Sequence, residues 1–164
     1  MKMNNKLVIL TFFLLTCGFT KVVLAQQKFE KAVFYSVMAS GDLESINNQI
    51  ETVKVSSSPN KEGYEGALLM RKADKVSGAA KKLKYFKQGR IQLETALLSD
   101  NENTEYHFLR LAIEEHAPKI VKYHSDIQND KLIIQKNFKS LPQSVQKAII
   151  DYCKNSKVLH AEDF

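Results

Sequence analysis

Along most of the chain apolar residues return every three or four positions, the period of a helix with one buried face. The alternation expected of strands is missing. The first such run, residues 28–40, sets Phe29, Ala32, Val33, Ser36 and Val37 on one face, widened by Phe34, Tyr35 and Met38. Gly41 suits a left-handed cap at its end, and Asp42 suits the start of the next helix. In that helix, residues 43–54, Leu43, Ile46, Ile50 and Val53 repeat at helical spacing. The two predict a tight antiparallel pair.

Residues 55–62 read as a loop, with three serines, Pro59 and Asn60 in succession. A helix over 63–74 follows, carrying Ala67, Leu68 and Arg71 with Leu69 and Met70 beside them. Its small residues Gly63, Gly66 and Ala67 predict the close approach of another helix. Beyond Ser77-Gly78, the positions Val76, Ala79, Leu83, Phe86, Arg90, Leu93 and Leu97 form one seam, interrupted only by the charge of Arg90. That run is too short for a coiled coil and predicts a bundle helix, with Arg90 paired to an acid or reaching to water.

After the polar turn Asp100-Asn101-Glu102-Asn103, the residues Tyr106, Phe108, Leu109, Leu111, Ala112 and Ile113 cover most of a helix circumference over 104–117. Such a helix belongs in the middle of the domain. Asn103 or Thr104 can cap it, and Glu102 and Glu105 suit its positive end. Pro118 breaks the pattern. A long helix to residue 138 is expected next, with Ile120, Tyr123, Ile127, Ile134 and Phe138 as its seam and a kink near Asn129-Asp130. Ser140 and Gln143 have capping-box spacing ahead of a last helix, residues 142–154, whose face is Val145, Ala148, Ile149, Tyr152 and Cys153. The polar tail from Asn155 is expected to fray.

These elements predict an all-α fold: six or seven helices in antiparallel pairs, either tetratricopeptide-like or an irregular bundle. The first residues change the picture of where it works. Lys2 and Lys6 precede an apolar run from Leu7 to Leu15, and Val23-Leu24-Ala25 resembles a signal-peptidase site. Residues 1–25 are therefore expected to be a signal peptide, leaving 26–164 as a single helical domain of the exported chain. The apolar run is shorter than the roughly 20 residues that span a bilayer. Lipid attachment at Cys17 is the alternative, disfavoured by Thr16 before it.

The net charge of +6 shrinks once Lys2, Lys6 and Lys21 are assigned to the leader, leaving 21 basic against 18 acidic residues. A balance of +3 is too mild to argue for nucleic acid. Lys81, Lys82, Lys84 and Lys87 cluster as on a solvated helix face, with an anionic partner as the sharper alternative. Cys153 alone of the two cysteines follows the leader, so no internal disulfide is expected, and it reads as a small buried apolar residue.

Catalytic chemistry finds little support. His107, His116, His124 and His160 lack the spacing that puts two metal ligands on one helical face. Ser56-Ser57-Ser58 lacks a nucleophile-elbow context. Acids concentrate as Glu114-Glu115 and over residues 126–130, but only a fold can hold two of them across a cleft. No catalytic, cofactor-binding or metal residues are assigned.

Two resemblances follow from quoted residues. Leu93, Ala96 and Leu97, the Asp100–Asn103 turn, then Tyr106 and Leu109 resemble a tetratricopeptide helix-turn-helix junction. Leu111 departs from the small residue that repeat wants, and no second copy follows at repeat spacing. Taken whole, the leader, GALLMRKAD and LETALLSDNENTEYHFLRLAIEEHAPKIVKY resemble small exported helical proteins of Bacteroidota, which implies a fold and a compartment but no activity. The expected role is a non-enzymatic secreted or periplasmic interaction module that binds a protein or peptide. The alternative is an envelope enzyme or small-ligand carrier whose pocket gathers Glu114, Glu115, His116 or His124. A third possibility is a bundle that dimerises through the Val76–Leu97 seam.

Overall fold

Seven α-helices and three single 3-10 turns, with no strand among the described residues, make up the computed structural model, which describes residues 28–164. The leader expected over 1–25 lies outside them. The helices are α1 (Lys31–Ser40), α2 (Leu43–Val55), α3 (Lys61–Lys75), α4 (Ala79–Ser99), α5 (Thr104–His116), α6 (Ile127–Asn137) and α7 (Gln143–Cys153).

Local chemistry sets most boundaries where expected. Gly41 ends α1 in the left-handed region at φ 65°, and the Asp42 carboxylate accepts the Ser45 N–H at 2.8 Å to start α2. The Ser56 hydroxyl donates to the Val53 carbonyl at 2.7 Å and stops α2. At α5 the cap is Asn103, which accepts from the Tyr106 N–H, while Thr104 is the first helical residue and is buried.

The tightest packing joins α3 and α4, antiparallel, at a crossing of glycines. A Cβ on Gly66 would lie 2.7 Å from the Gly89 carbonyl oxygen and the Leu93 nitrogen, so the two backbones touch there. The predicted close approach is met, with Gly89 as the unforeseen second half of the contact. Gly63 meets the Tyr106 ring in the same way, across to α5. Further along, Lys72 lies over the Tyr85 ring and Lys82 donates to the Asp74 carbonyl, closing the α3–α4 turn.

The core runs through an aromatic chain. Phe34 contacts Phe29, Tyr35 and Tyr64; Tyr35 meets Phe108, and Phe108 meets Tyr152 of α7. In α1 the buried face is Phe34 and Tyr35, whereas Ala32, Val33 and Ser36 are exposed. Residues 104–111 of α5 are all buried, as its apolar circumference requires.

Beyond that face of α1, four more expectations are corrected. The long helix over 118–138 does not form: Lys119–Val121 make one 3-10 turn, Lys122 turns back at φ 48°, and α6 begins at Ile127. The break stands well before Asn129-Asp130. Its cause is tertiary. Tyr123 turns into the core, the Glu114 carbonyl accepts from His124 Nδ1 and the Glu114 carboxylate accepts the Asp126 N–H, so the backbone is held by α5. Ile120, spaced as though on the seam, is left exposed.

The seam of α4 is Phe86, Gly89, Leu93, Ala96 and Leu97, with Ala79, Leu83 and Arg90 outside it. Ser140 does not cap α7. Its hydroxyl donates to the Asn137 carbonyl, and Gln146 instead reaches the Leu141 carbonyl at 2.8 Å.

The tail does not fray. Leu159 is fully buried, Phe164 stacks on Phe138 with ring centres 4.4 Å apart, and Lys131 holds both the Val158 carbonyl and Asp163.

Candidate functional site

The polar residues of a helix buried on all sides must find partners inside the protein, because an unpaired buried charge costs several kcal/mol. On α5 they find them. Arg110 donates to Asp130 of α6 through Nε at 2.9 Å and Nη2 at 2.7 Å, and to Glu94 of α4 through Nη1 at 3.1 Å. Glu94 also accepts from the Tyr123 hydroxyl. His107 completes the set, with Nδ1 2.6 Å from Asp130 Oδ1 and Nε2 2.9 Å from the Asn101 carbonyl oxygen.

Both atoms facing that ring are acceptors, so both ring nitrogens donate and the imidazole is held as a cation. Burial opposes the charge, but the bonds to Asp130 and the Asn101 carbonyl outweigh it and raise the pKa of His107 above the usual range. The groups that would act as base or nucleophile here are spent on one another.

A second buried acid sits near the start of the same helix. Glu105 accepts from the Tyr35 hydroxyl at 2.7 Å and from Lys31 Nζ at 2.5 Å, tying α1 to α5.

The residues suggested for an acidic and histidine-lined pocket fall into two separate groups. Glu114 is fully buried under the 122–126 turn, with Asp126 and His124 on it. Burial, reinforced by the charges of Asp126 and Asp130, pushes its pKa up against the pull of the Asp126 N–H. Glu114 Oε1 and His124 Nε2 are buried without hydrogen-bond partners.

Glu115 points the other way. It accepts from the Tyr152 hydroxyl, the Ser156 hydroxyl and the Lys157 N–H, and so clamps the tail. Burial opposes its charge, yet those three donors bring its pKa below the usual carboxylate range. His116 is exposed beside Tyr152. Cys153 is half-buried against the core, and burial raises its thiol pKa. Among the described residues no three His, Cys, Asp or Glu side chains are grouped to hold a metal ion, and no helix is long and apolar enough to cross a membrane.

Outside, two features stand out. One is a polar depression of about 360 Å³ between α2, α3 and α4, lined by Asn47, Asn48, Lys54, Glu65, Tyr85 and Gln88 among others. The other is the outward face of α4. Leu83 is 46% exposed, Ile91 67% and Leu98 87%, and at 3.6 residues per turn they fall within about 80° of one another. Lys84 and Lys87, both exposed, share that face.

Arg90 flanks it, its guanidinium 4.7 Å from the centre of the Tyr123 ring. Ile120 is 88% exposed on the turn that Tyr123 anchors.

The apolar period of α4 concealed this stripe, because Leu83 was counted into the seam and Ile91 and Leu98 fall outside it. The cluster around Arg110 had a readable trace, the charges at 105, 107, 110 and 114 on a helix with no polar side. Its partners Glu94 and Asp130 had none. Comparison of the chain with protein-family models, with curated proteins and with solved structures gave no match.

Proposed function

We propose that the protein is an exported, non-enzymatic interaction module that binds a protein or peptide through the outward face of α4. The observation that carries this reading is the alignment of Leu83, Ile91 and Leu98 on one exposed helix face. Single exposed leucines are ordinary, whereas aligned ones form a patch of the kind that marks interaction sites. Full burial of an exposed side chain of this size gains about 1.5–3 kcal/mol, and each residue here gains the share that its remaining exposure allows.

The test is affinity capture from an envelope extract with residues 26–164 as bait, comparing wild type with Ile91→Lys. Saturable capture that the substitution abolishes, with the thermal unfolding midpoint unchanged, supports the reading. Identical retention by both baits overturns it.

A second reading, a small-ligand carrier, is favoured by the unpartnered Glu114 Oε1 and His124 Nε2. It predicts a ligand-dependent rise in the unfolding midpoint that Glu114→Gln removes.

A further inference from the structure

We infer that the partner of the α4 face is a second copy of this chain, docked through α4 in antiparallel register about a two-fold axis between Arg90 and Ile91. This rests on the reading of α4 as an interaction surface and names what covers it. In a two-fold pair, residue i of one copy meets residue j of the other and the reverse holds too. The exposed side chains of α4 obey that condition about a single centre. Leu83 falls opposite Leu98 of the second copy, and Ile91 lies beside its own counterpart.

Charge selects the same arrangement. From Lys81 to Arg90 α4 carries five basic residues and no acid, while the exposed acids Asp100 and Glu102 stand in the turn just past its end. Antiparallel pairing sets the basic first half of each α4 against the acidic turn that follows the other, and parallel pairing sets like against like. An anionic bilayer would attract one end of this face and repel the other.

Tyr123 packs on Phe86 at 5.7 Å between ring centres and lies under Arg90, which fixes the Lys119–Val121 turn beside the middle of α4. Ile120 is exposed on that turn, three residues before Tyr123. A lasting interface buries about 1,000 Å² or more in total. Contact along the whole of α4 runs over about 30 Å of helix.

The test uses residues 26–164, which hold every described element. Mass is measured by light scattering between about 1 and 100 μM, a range that brackets micromolar affinity. Wild type is expected to reach twice the monomer mass, and Ile91→Lys to stay monomeric with unchanged helical circular dichroism.

Register is read by disulfide trapping in a Cys153→Ser background. Ile91→Cys is expected to cross-link with itself, and Leu83→Cys to cross-link only when mixed with Leu98→Cys. In this register Leu83 and its own counterpart are about 22 Å apart at 1.5 Å per residue. A disulfide needs Cα atoms within about 7 Å.

A monomer at every concentration, a dimer indifferent to Ile91→Lys, or self-cross-linking of Leu83→Cys each overturns the inference. A monomer that captures a different envelope protein, or anionic vesicles, through Ile91 overturns self-pairing. Capture of the protein leaves the broader interaction reading intact. A monomer with neither property removes both.

Discussion

Arg110 and Asp130 face each other across α5 and α6 in a two-pronged pair, Nε to Oδ2 at 2.9 Å and Nη2 to Oδ1 at 2.7 Å, with Asp130 fully buried. The pair joins the helix at the centre of the core to the one that follows the 118–126 break. Planar two-point pairing of this kind is specific to arginine and a carboxylate. It leaves the two groups costly to separate.

Asp130→Asn keeps the shape and removes the charge, so Arg110 and His107 lose their common counter-ion. Breaking a buried pair by removing one partner costs about 3–5 kcal/mol. Urea denaturation should show the midpoint falling by that amount with little change in slope. A loss under 1 kcal/mol would show that the pair contributes little.

His107 makes stability depend on pH. Its folded pKa is raised, so the folded state holds a proton that the unfolded chain releases near pH 6.5. The contribution is fully present below that value and is lost as pH rises through the folded pKa. Glu114, also raised, acts in the same sense from lower pH. Thermal midpoints should therefore decline from about pH 6 to 9, and His107→Gln should flatten the upper part of that decline. An unchanged slope in the variant would place the titration elsewhere.

The α3–α4 crossing tolerates no side chain. Gly66→Ala puts a methyl 2.7 Å from backbone atoms of Gly89 and Leu93, which cannot swing aside as a side chain would. Overpacking costs about 1–3 kcal/mol, and rigid backbone on the far side sets the upper end as the expectation. Calorimetry of Gly66→Ala beside Gly78→Ala sets crowding against backbone strain, since nothing lies within 4 Å of a Cβ on Gly78. Gly78 sits at φ 89°, so its variant reports backbone strain without contact.

Glu115 holds the tail through Tyr152, Ser156 and the Lys157 N–H. Glu115→Ala should expose residues 155–164 to proteolysis and cost about 1–2 kcal/mol, the net worth of hydrogen bonds from half-buried and exposed donors to a charged acceptor. The lowered pKa of Glu115 gives the opposite pH sense to His107. Its stabilisation is present above about pH 4.3, the unfolded value, and fades as pH falls through the folded one. Limited proteolysis at pH 7 and pH 3 should release the wild-type tail only at the lower value.

The sequence by itself determined the fold class, the caps at Gly41 and Asp42, the buried centre at α5 and the small-residue contact of α3. Each is a local property: period, composition and turn chemistry act over a few residues and need no partner to be read. Only the tertiary structure decided the rest. Residues 118–126 have helical spacing, yet α5 takes their hydrogen bonds through Glu114, and the helix breaks. The tail is polar, yet Glu115 and Lys131 satisfy its backbone and Leu159 fills the core. The partners of Arg110 lie 16 and 20 residues away on two other helices, a proximity that no local pattern encodes. The exposed stripe on α4 belongs here too, because which face of an amphipathic helix stays uncovered depends on where its neighbours end.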